Sequence, residues 1–201
     1  MRRSVQGTMA YRWMTVINCG LLDCSAGAGW DCAKNANCRA ATQTMLAVLR
    51  EHATAGDVVV VSHAGYKVGA EHVPFFRNVV VPILSAAGAS LVIMGDPPMT
   101  KNSISYCTPS VFKPDAFKGC ETAFAPEANW DQNQEFKVLT TETDNVFYFD
   151  IYEHFCTDAV CGIVVPGTTT FAYIDNSHLT TMGGLYLWPY FCAFFRARGF
   201  F

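Results

Sequence analysis

Asp57-Val58-Val59-Val60-Val61-Ser62 and Ser90-Leu91-Val92-Ile93-Met94 decide the fold. Each is a short apolar run without polar alternation, the pattern of a strand buried on both faces. Val146 to Asp150 is a third run of this kind. The intervening segments change period. Thr42 to His52 carries Met45, Leu46 and Leu49 at helical spacing, with Thr42 as N-cap. Phe75 to Ala87 repeats the pattern through Phe76, Val79, Val80, Ile83 and Leu84, and Gly88 is the natural stop. Pro82 lies inside this second helix and is expected to kink or split it. Asn129 to Thr141 reads as a helix. Buried strands alternating with helices imply a parallel sheet covered on both faces, a three-layer α/β/α fold in a single domain over residues 1–201.

Outward from this frame, Tyr11 to Asn18 reads as another buried strand, and Cys19 to Ala40 as a Gly-, Asn- and Cys-rich loop. Thr100 to Glu127 is an irregular insert bracketed by Cys107 and Cys120. Ile163-Val164-Val165, Pro166-Gly167 and Phe171 to Tyr173 form a hairpin or turn, and Thr180 to Phe195 reads as an apolar helix. Open parallel sheets gather their sites at the C-terminal strand ends. Here these are Ser62-His63, Gly95-Asp96 and Asp150, with a loop at Asp175–His178 beyond the last of them.

Composition narrows the function. The chain has 201 residues, 51% of them hydrophobic, enough for a real core. Its formal charge is −3, and its basic residues are scattered, so it lacks the footprint that nucleic acid requires. Nine cysteines fall as Cys19/Cys24, Cys32/Cys38, Cys107/Cys120 and Cys156/Cys161, with Cys192 left over. No pair has a zinc-knuckle spacing. Disulfides are the favoured reading, over free thiols and a metal site, and they imply an extracellular, periplasmic or lumenal compartment. No unbroken apolar stretch of about 20 residues is present. Met1-Arg2-Arg3 is followed by a polar stretch, and Arg12 interrupts its most apolar part, so it is a poor signal peptide. A secreted cysteine content without a leader leads us to expect an N-terminally truncated chain.

Tyr173-Ile174-Asp175-Asn176-Ser177-His178-Leu179-Thr180 is the sharpest chemical signal. A histidine acting as general base presents one ring nitrogen to a nucleophile while an acceptor holds the other. Asp175, three residues before His178, can be that acceptor, and Thr180 can cap the following helix. The plain alternative is an Asp and a His in an exposed loop. His52 suits a helix end as a cation. His72 and His154 read as packing or surface residues, and Trp13, Trp30, Trp130 and Trp188 as core or subsite walls.

Asp175-x-x-His178-Leu179-Thr180, the Gly183-Gly184 pair and the apolar helix after them resemble the last block of SGNH hydrolases. The nearest resemblance is to SGNH domains fused to membrane acyltransferases of the acyltransferase-3 family. Val58–Ser62 is similar to their third strand. Leu91 to Pro98 is similar to the fourth strand and its proline loop. Cys107 and Cys120 flank the usual insert, and Cys156/Cys161 precede the Asp-His block. The resemblance is clearest over 57–201. It implies a flavodoxin-like SGNH fold and a Ser-His-Asp esterase or O-acyltransferase acting on O-acyl, commonly O-acetyl, groups of glycans. His178 would be the base and Asp175 its orienting acid, with no cofactor and no metal. The partners would be an acylated carbohydrate and a membrane acyltransferase domain in the same full-length chain. The family's nucleophile sits in a Gly-Asp-Ser block after a central first strand. Asp23-Cys24-Ser25 is the nearest match, so either Ser25 serves or the first strand and its serine lie upstream. Ser62 or His63 occupies the oxyanion-hole position, and Gly20 is the stand-in for the oxyanion glycine. The alternative function is a catalytically inactive, disulfide-stabilised glycan-binding module of the same fold. Cys107–Cys120 and Cys156–Cys161 are expected as disulfides, with Cys192 free.

Overall fold

The computed structural model describes residues 36–62, 72–98, 104–108, 110–112, 116, 120, 122–123, 128–157, 160–175 and 178–200. The expected strand Tyr11–Asn18, together with Gly20, Ser25 and His63, lies outside them, as do the Cys19/Cys24 pair and Cys32. Helix α1 (Ala36–His52) leads into strand β1 (Val58–Ser62). Helix α2 (His72–Phe75), a π-helical turn (Phe76–Val80) and helix α3 (Val81–Ala87) then run into β2 (Ser90–Met94). Helix α4 (Ile104–Cys107) and the short strand β3 (Thr122–Ala123) belong to the insert. Helix α5 (Ala128–Glu142), β4 (Val146–Phe149), α6 (Tyr152–Phe155), β5 (Val160–Cys161) and α7 (Thr181–Ala197) complete the order.

Strands β1, β2 and β4 form a parallel sheet in the order β1-β2-β4, with Val59 beside Leu91 and Val92 beside Phe147. Leu91, Val92 and Ile93 are all fully buried. Their side chains alternate, so β2 feeds two cores at once. Leu91 and Ile93 join Leu46, Leu49, Val80, Leu84, Phe136 and Leu139 beneath α1, α3 and α5. Val92 joins Phe149, Phe155, Tyr173, Leu187 and Phe195 beneath α7 and the hairpin that precedes it. This is the expected α/β/α layering. A second, antiparallel pair joins β3 to β5.

Two local expectations are corrected. Helix α1 begins at Ala36, so Thr42 sits inside it and is not its cap. Strand β1 is not buried throughout. Val60 is 37% exposed and Ser62 is exposed, and among the described residues β1 pairs on one side only. Pro82 splits its helix as expected: α geometry stops at Phe75 and resumes at Val81. The proline ring would collide with the carbonyl four residues earlier, and the chain widens to π geometry over Phe76–Val80 before resuming α geometry at Val81. Gly88 ends α3 at φ +70°, in the left-handed region that favours glycine.

Both expected disulfides are present. Cys107–Cys120 ties the end of α4 to a point two residues before β3, and Cys156–Cys161 joins the end of α6 to β5. Cys192 is free. No described helix is long and apolar enough to cross a membrane. Cys107 and Cys120 are buried and close a loop with a sequence separation of 13. Replacing both by alanine should therefore lower stability by about 3 kcal/mol in denaturant titrations, through restored freedom of the unfolded chain. An unchanged midpoint would show that the bond does not stabilise the domain by restricting the unfolded chain.

Candidate active site

The loop that carries Asp175 and His178 is built by a short antiparallel return. Val165 donates to Thr170 and Ala172 donates to Ile163, which forms the hairpin around Pro166-Gly167. Gly167 takes φ +77° at the turn. Beyond it, the Ile174 N–H donates to the His178 carbonyl at 2.8 Å, and Tyr173 bridges Leu179. The loop is thereby closed at its base. Thr180 then anchors it three ways. Its N–H donates to the Ala172 carbonyl at 2.8 Å, its hydroxyl donates to the Phe171 carbonyl at 2.9 Å, and the same oxygen caps α7 by accepting from the Gly183 N–H at 3.0 Å.

Gly183 is what lets α7 approach this hairpin. A Cβ there would lie 2.3 Å from the Ala172 carbonyl oxygen, whereas one on Gly184 would meet nothing within 4 Å. The two glycines look alike in sequence but have different surroundings.

Within the closed loop, one carboxylate serves one residue twice. Asp175 Oδ1 accepts from the His178 backbone N–H at 2.8 Å, and Oδ2 pairs with His178 Nδ1 at 2.7 Å. The first bond fixes the carboxylate against the backbone, and the second fixes the ring. The arrangement holds the tautomer with a proton on Nδ1 and leaves Nε2 without a partner among the described residues. The His178 side chain is 72% exposed and that of Asp175 45%, so the ring is open to a reactant. Ser62 lies at the C-terminal end of β1, exposed, with no hydrogen bond to either residue.

The C-terminal ends of β2 and β4 carry a second polar group. Asp96 is 4% exposed, and burial lifts its carboxyl from 3.8 to about 8. Tyr148 reaches across from β4, and a Cβ on Gly95 would stand 2.2 Å from its hydroxyl, so a larger residue there would displace the Tyr148 ring. Burial, followed by the neighbouring Asp150 and Asp96 carboxylates, pushes the Tyr148 hydroxyl up. Lys137 of α5 forms an ion pair with Asp150 and lies 5.4 Å from the centre of the Tyr148 ring. Asp150 also accepts from the Tyr152 N–H at 3.0 Å.

The family profile described as the SGNH domain (fused to AT3 domains) matches residues 9–192. The chain belongs to this family. Its fold is also similar to that of the periplasmic domain of a lipopolysaccharide acetyltransferase from Salmonella ser. Paratyphi A, with a TM-score of 0.50 and 15% identity over 76% of this chain. The chain spans 59% of that structure's length. No curated protein sequence matches it.

For this SGNH domain, sequence reasoning missed Tyr148 and Lys137. Asp96 and Asp150 were visible as strand ends, but Lys137 reaches Asp150 only because α5 packs back along β4. His154, read as a packing residue, stacks on Tyr190 with ring centroids 4.2 Å apart.

Two measurements follow. Gly183→Ala should cost about 1–3 kcal/mol through overpacking against Ala172, while Gly184→Ala should be neutral or stabilising by up to about 1 kcal/mol in the helix interior. Equal effects in thermal melts would contradict the placement of α7. Asp96 gives a pH dependence of definite sign. Between its ordinary value of 3.8 and its folded value of about 8, the folded state holds the proton that the unfolded chain releases. Its contribution is intact below the lower value and is lost as pH rises to the upper one. Melting temperature should therefore fall from about pH 5 to pH 8, with a flatter slope in Asp96→Asn.

Proposed function

We propose that this domain is an esterase or O-acyltransferase acting on O-acyl groups of glycans, with His178 as general base and Asp175 as its orienting acid. The double engagement of His178 by Asp175 supports this reading most. In acyl transfer the base needs one free ring nitrogen and one held by a carboxylate, and the loop offers both. Family membership supports an acyl-modifying role, and the neighbouring fold belongs to a lipopolysaccharide acetyltransferase domain.

In this mechanism Nε2 of His178 removes the proton from a serine hydroxyl as its oxygen attacks the ester carbonyl. The Asp175 carboxylate stabilises the imidazolium that forms. Collapse of the tetrahedral intermediate expels the alcohol, which takes the proton back from His178. Water then releases the acyl group, or a sugar hydroxyl accepts it. The nucleophile is Ser25 or a serine upstream of this chain, and Ser62 and His63 are the proposed oxyanion donors. The two disulfides support an extracytoplasmic location, and membership of a family of SGNH domains fused to AT3 domains supports a membrane acyltransferase partner domain.

The test compares this chain with a form extended upstream, using a short-chain nitrophenyl ester and a fluorophosphonate label. The extended form should turn over and label, and this chain alone should not. Activity in the short form, abolished by Ser25→Ala, would assign the nucleophile to Ser25. In the active form, His178→Ala should lower kcat/KM by several orders of magnitude and Asp175→Asn should also be severe, since triad members act as a unit. Silence in every form would leave a glycan-binding module instead.

A further inference from the structure

Helix α7 buries one face and presents an uncharged one. Gly183, Leu187 and Phe195 point into the domain. On the other side Met182 is 48% exposed, Leu185 58% and Trp188 53%, and Pro189 and Ala193 are also exposed. These positions recur at three- and four-residue spacing, so they share one stripe about 16 Å long. A helix face turned to water ordinarily carries charge; here the first charged residue on the stripe is Arg196, in the last turn. Arg198, also exposed, lies 3.5 Å from the centre of the Phe194 ring.

The charge distribution is lopsided in the same region. The chain has 17 acidic residues and a formal charge of −3, yet none of its acids lies beyond Asp175. Helix α7 and the residues just after it therefore carry an apolar stripe, an exposed indole and two arginines, and no carboxylate of their own. The stripe starts one turn after His178, and Ile174, beside Asp175, is itself 67% exposed. A second copy of the chain fits this surface poorly. A strip about 16 Å by 10 Å is several-fold smaller than the roughly 800 Å² that each partner gives to a specific interface.

We infer that the Met182–Leu185–Trp188 face of α7 docks onto an anionic lipid bilayer surface. Leu and Trp side chains would sit at the boundary of headgroups and acyl chains while the arginines meet lipid phosphates, the arrangement of an interfacial helix. The helix lies on the membrane and does not span it, in keeping with its length. Docking would hold the Asp175–His178 loop at the lipid surface, whatever chemistry that loop performs.

The experiment is co-sedimentation of this chain with vesicles of phosphatidylcholine alone or mixed equally with phosphatidylglycerol. The parent chain should pellet with the mixed vesicles and release at high salt. Leu185→Glu with Trp188→Glu should weaken partitioning tenfold or more, and Leu185→Ser with Trp188→Ser should do so without introducing charge, each with an unchanged circular dichroism spectrum. Val138→Glu, at a position 51% exposed on α5, should bind like the parent. Parent protein that stays in the supernatant with both vesicles would overturn the inference. So would double variants that pellet like the parent. A dimer that the double variants dissolve, with no vesicle binding, would assign the face to a second copy. None of these readouts depends on catalysis, so a failure here is separable from a failure of the proposed chemistry.

Discussion

Strand β2 is the member against which the rest of the domain is assembled. From Leu91 to Ile93 no side chain meets water, and successive residues enter opposite cores. Burial of such side chains stabilises by roughly 1.5–3 kcal/mol each, so the strand cannot slip by one residue without exchanging two packed faces. That constraint sets the register of β1 and β4 on either side. It also carries Gly95 and Asp96 beyond the strand into a buried position beside Tyr148. Asp96 is thereby held where solvent would be the better host for its ionised form.

What was legible in the sequence depended on the range of the interactions involved. Val58–Ser62, Ser90–Met94 and Val146–Phe149 announced themselves as unbroken apolar runs, although only Ser90–Met94 has its central residues fully buried. The Asp175–His178 loop and its Thr180 cap were legible because the bonds that define them span three residues. Helix α5 was found to within a residue at each end. By contrast, the start of α1 at Ala36 was hidden by a segment rich in Asn and Cys, residues that usually mark loops. The π turn ahead of Pro82 could not be read from side-chain spacing, which cannot reveal how a backbone makes room for a ring. Lys137–Asp150 and Tyr148 over Gly95 required packed helices and strands before they could exist. The exposed face of α7 was misleading in its own way: an apolar helix suggests burial all round, and here only part of it is buried.

The two polar groups described above obey different rules. Asp175 and His178 are exposed, and their pairing is kept by geometry. Asp96 is enclosed, and its protonation is governed by the cost of ionising away from water.

The way Asp175 grips His178 bears on how such a domain drifts over evolutionary time. In many acid–base pairs the two partners arrive on different elements, so every repacking of the core changes the distance between them. Here both carboxylate oxygens engage a residue three positions along, and the loop is closed by the bond from Ile174 to the His178 carbonyl. The pair moves as one body when the helix or hairpin beneath it shifts. Substitutions in the core can then re-aim the pair without disassembling it, and neutral change can accumulate below a constant piece of chemistry.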